Sequence, residues 1–266
     1  MEIFGVDAFS PSEVAERVET VGVRKARLPF IQLFTLGVLA GGFIGLGALY
    51  YTLVVSDPNL GFAARRLLGG VAFSLGLILV VVAGAELFTG NNLLVMAWAG
   101  RRISGGELLR NWVIAYVGNF VGAFGLALLV VLSRQGAMND HGVAAQAVAI
   151  ATAKSSLPFG EAFFKGVLCN VLVCLAVWLA MAGRSVTDKI LAVVFPISAF
   201  VAAGFEHSVA NMYFLSTGFL LQGDLLNPGF VRNLVPVTLG NIVGGGIMVA
   251  LVYFIVYRLQ VSRKES

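Results

Sequence analysis

Six long apolar runs, near residues 30–53, 67–99, 108–133, 159–183, 189–221 and 231–258, dominate the chain. At a rise of about 1.5 Å per helical residue, each suffices to cross roughly 30 Å of hydrocarbon. Backbone inside lipid must satisfy its own hydrogen bonds, and separate runs of this length do so as helices. The expected fold is an all-α polytopic membrane protein with six transmembrane elements. Composition agrees, with 58% of the 266 residues hydrophobic and 12% charged, against roughly a quarter charged in soluble domains. The formal charge of +4 therefore reports membrane topology first, with the lipid bilayer as partner and no nucleic acid expected. The opening stretch MEIFGVDAFSPSEVAERVE is acidic and has no apolar centre, so no removable secretory signal is expected.

Two runs are too long and too polar in the middle for one helix. The second contains Gly84–Leu93 (GAELFTGNNL) and the fifth contains Gly204–Met212 (GFEHSVANM). GAELFT aligns with GFEHSV at an offset of 120, from 84 to 204. VGNFVGA at Val117–Ala123 aligns with LGNIVGG at Leu239–Gly245 at an offset of 122. Three spans per repeat set the second copy upside down, and broken segments in equivalent places mark a translocation path. The expected organisation is an inverted 3+3 repeat, about 29–134 and about 155–260, with the second and fifth elements broken. It forms a single channel domain over 29–266, preceded by an amphipathic helix within 1–28.

That helix is announced by Ser10 as cap, Pro11 in the first turn and Glu13 completing a capping box. Val14, Val18 and Val21 recur at helical spacing. A helix resting on the protein or membrane surface and a gating element are both open readings. Six crossings leave both termini on one side. That side carries Arg17, Arg24, Lys25, Arg27, Arg101, Arg102, Arg110, Arg184, Lys189, Arg258, Arg263 and Lys264. The other side keeps Arg65, Arg66, Arg134, Lys154, Lys165 and Arg232. Twelve against six puts both termini in the cytoplasm. Cys169 and Cys174 are five apart in one run and do not face each other, so they are expected as small buried hydrophobes without a disulfide.

The chemistry lies at the breaks. Half-helices beginning near Thr89–Asn91 and near Ser208 direct partial positive charge toward the midplane, which favours a small anion. Thr89 and His207 can meet across the pore if the repeats are two-fold related. His207 is the one histidine expected inside the membrane, since His141 falls in an external loop. Glu86 and Glu206 occupy the same place in the two repeats and are expected to accept bonds from free N–H groups of the breaks, shaping the loops. Lys165 is placed to reach the interface or to draw anions into an outer vestibule. Phe73, Leu77 and Phe200 are either ordinary packing or a dry constriction. Asn119 and Asn241 are interhelical glue or pore-lining donors. A neutral-solute channel of the aquaporin kind would carry Asn-Pro-Ala boxes at the breaks, and neither break has one. A membrane enzyme would need a histidine set, an aspartate pair or a facing Ser–His dyad. Ser208 and His207 are consecutive and do not face each other. No catalytic activity, cofactor or metal is expected.

Four motifs, GAELFTGNN from Gly84, NVLVCLAVWL from Asn170, GFEHSVANM from Gly204 and VTLGNIVGGG after Pro236, occur in this order. In them the chain resembles the formate/nitrite transporter family of bacterial and archaeal inner-membrane channels, over essentially residues 10–260. The resemblance implies a homopentamer of aquaporin-like protomers, each with its own pore. It implies Thr89 and His207 as the central substrate pair, and Phe73, Leu77 and Phe200 as the periplasmic constriction. Leu87, Val173 and Asn241 are implied as the cytoplasmic constriction, with Asn170 a polar residue nearby. The implied cargo is a small monovalent anion: formate, nitrite or hydrosulfide. Phe73–Leu79 and Gly183–Leu191 look most like the formate branch, while Lys165 is more typical of the nitrite and hydrosulfide branches. The expected function is movement of such an anion, foremost formate, across the cytoplasmic membrane, with a proton passing through His207 as a linked step.

Overall fold

The computed structural model describes residues 8–259; Arg263 and Lys264, counted above for topology, lie outside them. The first helix, α1 (Pro11–Ala26), opens on the expected capping box: Ser10 Oγ accepts the Glu13 N–H, and the Glu13 carboxylate accepts the Ser10 N–H at 2.7 Å. Val14 and Val18 are buried, so α1 packs on the protein.

Then come α2 (Phe30–Val55), α3 (Phe62–Ile78) with a π-helical turn at Leu79–Gly84, a 3-10 turn at Gly90–Leu94, and short α4 (Val95–Ala99). They are followed by α5 (Gly105–Leu132), α6 (Gly142–Ser155), α7 (Phe159–Ala182), α8 (Val186–Ala203) and α9 (Ser208–Gln222). The last element is α10 (Gly229–Ile242), which runs through a π-helical segment, Val243–Leu251, into α11 (Val252–Tyr257). Six of these stretches are long and apolar enough to cross a membrane, and the second and fifth end at the expected breaks. The chain returns from the breaks as the 3-10 turn with α4 and as α9. Every residue of α9 from Ser208 to Phe219 is buried. A helix enclosed on all sides loses its amphipathic period, and this is why α9 reads in sequence as the tail of one long apolar run.

Both breaks turn on a glycine in the left-handed region, Gly84 at φ +88° and Gly204 at φ +74°, where a Cβ is strained. The repeats are clamped by close helix crossings. A Cβ on Gly122 of α5 would collide with the Val38 carbonyl of α2, and one on Gly244 with the Val167 carbonyl of α7. Small residues permit this approach where lipid supplies no hydrophobic drive between helices. Gly122→Ala is expected to force α2 from α5 and cost roughly 1–3 kcal/mol, as overpacking does. A clear drop in the melting midpoint in detergent would be the readout, against Gly125→Ala, whose Cβ meets open space and leaves the midpoint unchanged.

One helix is not announced by the apolar runs. The stretch ahead of the fourth span forms α6, which buries Val143, Ala147, Ile150 and Ala151 and packs on α9. It mirrors α1: Lys25 and Lys154, near the ends of these helices, stand 129 apart (154 − 25), as do the first residues of α2 and α7 (159 − 30). From this mirroring we infer that a short helix opens each repeat, α1 the first and α6 the second. Fourteen residues are too few to cross a bilayer, so a search for spans passes over α6.

Candidate functional site

The breaks are built alike. At the first, Asn119 Oδ1 accepts the Phe88 N–H at 2.9 Å, while its Nδ2 donates to the Gly37 and Glu86 carbonyls. At the second, Asn241 Oδ1 accepts the Ser208 N–H at 2.9 Å, and its Nδ2 donates to the Gly166 and Glu206 carbonyls. One asparagine per repeat thus holds backbone that has left the helix, the satisfaction that non-helical backbone at membrane depth demands.

The carboxylates do something other than expected. Their partners are side chains and not the free backbone N–H groups. Glu86 accepts Lys25 Nζ at 3.0 Å and Asn91 Nδ2 at 2.8 Å, and Asn91 Nδ2 also reaches Asn111 Oδ1 at 2.9 Å. Glu206 accepts Lys154 Nζ at 2.7 Å and Asn211 Nδ2 at 2.6 Å, and Asn211 Nδ2 reaches Asn233 Oδ1 at 2.7 Å. Asn111 and Asn233 in turn donate to the Lys25 and Lys154 carbonyls. Each network ties the chain returning from a break to a short helix, the first to α1 and the second to α6. Both glutamates are buried, and a buried carboxylate is tolerable only with such charge pairing and hydrogen bonding. Sequence reasoning missed the lysines and the four asparagines as members of these networks. Their signal was available in the offsets, since Asn91 and Asn211 stand 120 apart and Asn111 and Asn233 stand 122 apart.

The two breaks meet at Thr89 and His207, whose Oγ1 and Nε2 atoms lie 2.8 Å apart, both residues buried. The opposite ring nitrogen, Nδ1, accepts the Ala210 N–H at 3.0 Å. A backbone N–H can only donate, so Nδ1 carries no proton, and the single proton of the neutral ring sits on Nε2. His207 therefore donates to Thr89 Oγ1, and the threonine hydroxyl proton is left to point elsewhere. His207 is the N-cap of α9, and Phe200 stacks on it with ring centroids 5.9 Å apart. Behind Thr89, its carbonyl accepts Asn170 Nδ2 at 3.2 Å and Cys174 Sγ at 3.4 Å. Cys169 and Cys174 are both free and buried.

A cavity opens on either side of this pair. One, of about 470 Å³ on the α1 face, reaches Leu77, Leu87 and Gly90; the other, of about 280 Å³ beneath α6, reaches Phe73, Phe200 and His207. Phe73 and Phe200 meet edge to face at 5.6 Å. Leu77, grouped with those phenylalanines by the resemblance, instead lines the α1-face cavity with Leu87. Asn241, grouped with Leu87, lines neither cavity, since both its polar ends are committed to backbone. Val173 is buried and also lines neither, and Asn170 is buried against the Thr89 carbonyl. Lys165 lines the cavity beneath α6 and pairs with Glu161 at 2.6 Å.

Six crossing stretches, an inverted repeat and two breaks meeting between opposed cavities define a multi-pass membrane protein of the transporter and channel class. The sequence pattern of the formate/nitrite transporter family matches residues 12–255, and the chain belongs to that family. It is 39% identical to the formate channel FocA of Escherichia coli (strain K12), in an alignment covering 94% of this chain and 95% of that protein. A solved pentameric formate channel with formate bound matches with a TM-score of 0.78 at 39% identity, covering 86% of this chain and 97% of the other. The aquaglyceroporin from Plasmodium falciparum, at a TM-score of 0.52 and 13% identity over 88% of this chain and 98% of the other, shares the fold alone.

Proposed function

We propose that this chain conducts formate across the cytoplasmic membrane as a homopentamer, each protomer carrying its own path. The observation that carries the reading is the Thr89–His207 bridge, buried where two half-helices converge and a cavity lies on each side. An arriving anion takes the place of this bridge. The His207 Nε2–H and the Thr89 hydroxyl then turn from each other to the anion, and a carboxylate offers one oxygen to each. The positive end of α9 adds to their attraction. Lys25 and Lys154 hold their charge beside Glu86 and Glu206, which leaves the centre uncharged and lets the anion bind without being trapped.

Phe73 with Phe200, and Leu77 with Leu87, make dry collars on the two sides. Stripping water from a bare anion is costly there, whereas formic acid crosses at far lower cost. A proton linked to transport cannot simply be lent by His207 in this geometry. Nε2 holds the ring's only proton, and losing it leaves an anionic ring. Protonating Nδ1 would set two donors against each other at Ala210. Relay through His207 therefore needs Nδ1 to let go of the α9 cap. With twelve basic residues against six, both termini face the cytoplasm in this reading, and the α1-face cavity is the inner one. Lys165 on the wall of the other cavity favours a second reading, a nitrite or hydrosulfide channel.

Planar-bilayer currents for formate, nitrite, hydrosulfide and chloride at two pH values test both. Formate is expected to lead and chloride to trail. Equal formate and chloride currents would remove the formate reading, and dominance of nitrite or hydrosulfide would establish the second.

A further inference from the structure

The α1-face cavity is larger and more basic than passage of a small monovalent anion requires. Arg17, Arg24 and Lys25 of α1 and Lys189 of α8 line it, with Glu86 as its carboxylate. Glu86 is already paired with Lys25. Asp188, next to Lys189, is turned to its own helix start, accepting the Arg184 and Ser185 N–H groups at 3.0 and 2.8 Å. Arg17 lies over the Phe9 ring at 4.0 Å and feels the Glu13 carboxylate one turn before it on α1. Among the described residues, Arg24 and Lys189 have no carboxylate within ion-pair distance. The opposite cavity differs. There Lys154 pairs with Glu206 and Lys165 with Glu161, leaving Arg66, which lies over Phe62 at 5.5 Å.

Two unpaired cations on two different helices, Arg24 and Lys189, around a mouth above an apolar neck, favour a ligand with more than one anionic group. A cavity of about 470 Å³ also falls within the roughly 300–1,000 Å³ typical of small-molecule sites. Charge-assisted hydrogen bonds to arginine are strong and directional. The neck at Leu77 and Leu87 bars such a ligand, because the cost of desolvating an ion climbs steeply with its charge. We propose that this cavity binds a multiply charged small anion, a carboxylate or phosphate trianion, which lodges between Arg24 and Lys189 and blocks the path from the α1 face only. The blocking role rests on the reading of the chain as a formate channel; the binding does not.

Single-channel formate recordings with pyrophosphate or citrate added to one chamber and then the other test the block. At least a two-fold fall in current is expected from one chamber alone, with no fall for the monoanion methanesulfonate. The double variant Arg24→Gln, Lys189→Gln should need about ten-fold more blocker, each protein being referred to its own unblocked current. Equal block from both chambers, or a half-blocking concentration unchanged in the variant, would overturn the proposal. Comparing pyrophosphate with citrate tells whether phosphate or carboxylate is preferred. Calorimetry on the purified full chain separates this idea from the channel reading. Should formate current be absent, pyrophosphate binding weakened about ten-fold in the variant still supports the site, and equal or absent binding removes it.

Discussion

Asn241→Leu is expected to yield a protein that fails to hold its second break and is lost from the membrane or melts far below the wild type. Leucine has nearly the shape of asparagine, so packing is not the cause. The substitution strands the Ser208 N–H and the Glu206 carbonyl of the break, both bound by Asn241, and also removes the tie to the Gly166 carbonyl, which keeps its bond within α7. Each stranded buried group costs about 1–3 kcal/mol, or roughly 2–6 kcal/mol for the two. Asn119→Leu should do the same at the first break, because it strands the Phe88 N–H and the Glu86 carbonyl. Folded yield and melting of the purified protein are the readouts. A well-folded Asn241→Leu protein would mean that water reaches the break and that the bracket is dispensable.

The second large effect concerns conduction. His207→Phe removes the Nε2–H that faces Thr89 and sets another apolar ring beside Phe200. Loss of a hydrogen bond to a charged group is worth about 1.5–3 kcal/mol, so formate flux into proteoliposomes should fall roughly ten- to a hundred-fold. The phenylalanine also removes the acceptor for the Ala210 N–H, so a structural failure could mimic a conduction failure. His207→Asn separates them, since asparagine is among the preferred N-caps yet is too short to contact Thr89 in the same way. That variant should melt like the wild type and still lose most formate flux and its pH dependence. Undiminished flux in a stable His207→Asn protein would dismiss His207 as the residue that holds the anion.

Much of this architecture was legible in the sequence because bilayer physics leaves few choices. Six apolar runs and a polar interruption in each of two predict six crossings and two breaks, and both are present. The meeting of Thr89 with His207 was expected on condition that the halves are two-fold related, and their side chains lie 2.8 Å apart. The illegible parts are those in which a residue acts through contacts distant in sequence. Lys25 and Lys154 looked like topology markers, whereas their ammonium groups reach the break carboxylates across 61 and 52 positions of chain (86 − 25 and 206 − 154). Asn241 looked equally able to line a pore or to brace one, and only its three backbone partners distinguish the two. Leu77 shares a helix with Phe73, one turn on, and a turn is enough to move a side chain from one cavity to the other. The helix α6 escaped because an alanine-rich stretch of 14 residues is neither a span nor a clear amphipath.

The mirrored breaks also bear on how such a protein can change over generations. The bracing residues recur as identical pairs: Lys25 with Lys154, Glu86 with Glu206, Asn91 with Asn211, Asn111 with Asn233 and Asn119 with Asn241. Where the lining is concerned the pairs diverge, Leu87 standing opposite His207 and Thr89 opposite Val209. The frame is two-fold symmetric and the interior is not, so the two can vary separately. New cargo preferences can then arise by substitution at a few interior positions, each tried without risk to the braces, and a designer seeking another anion would start at those same unmatched places.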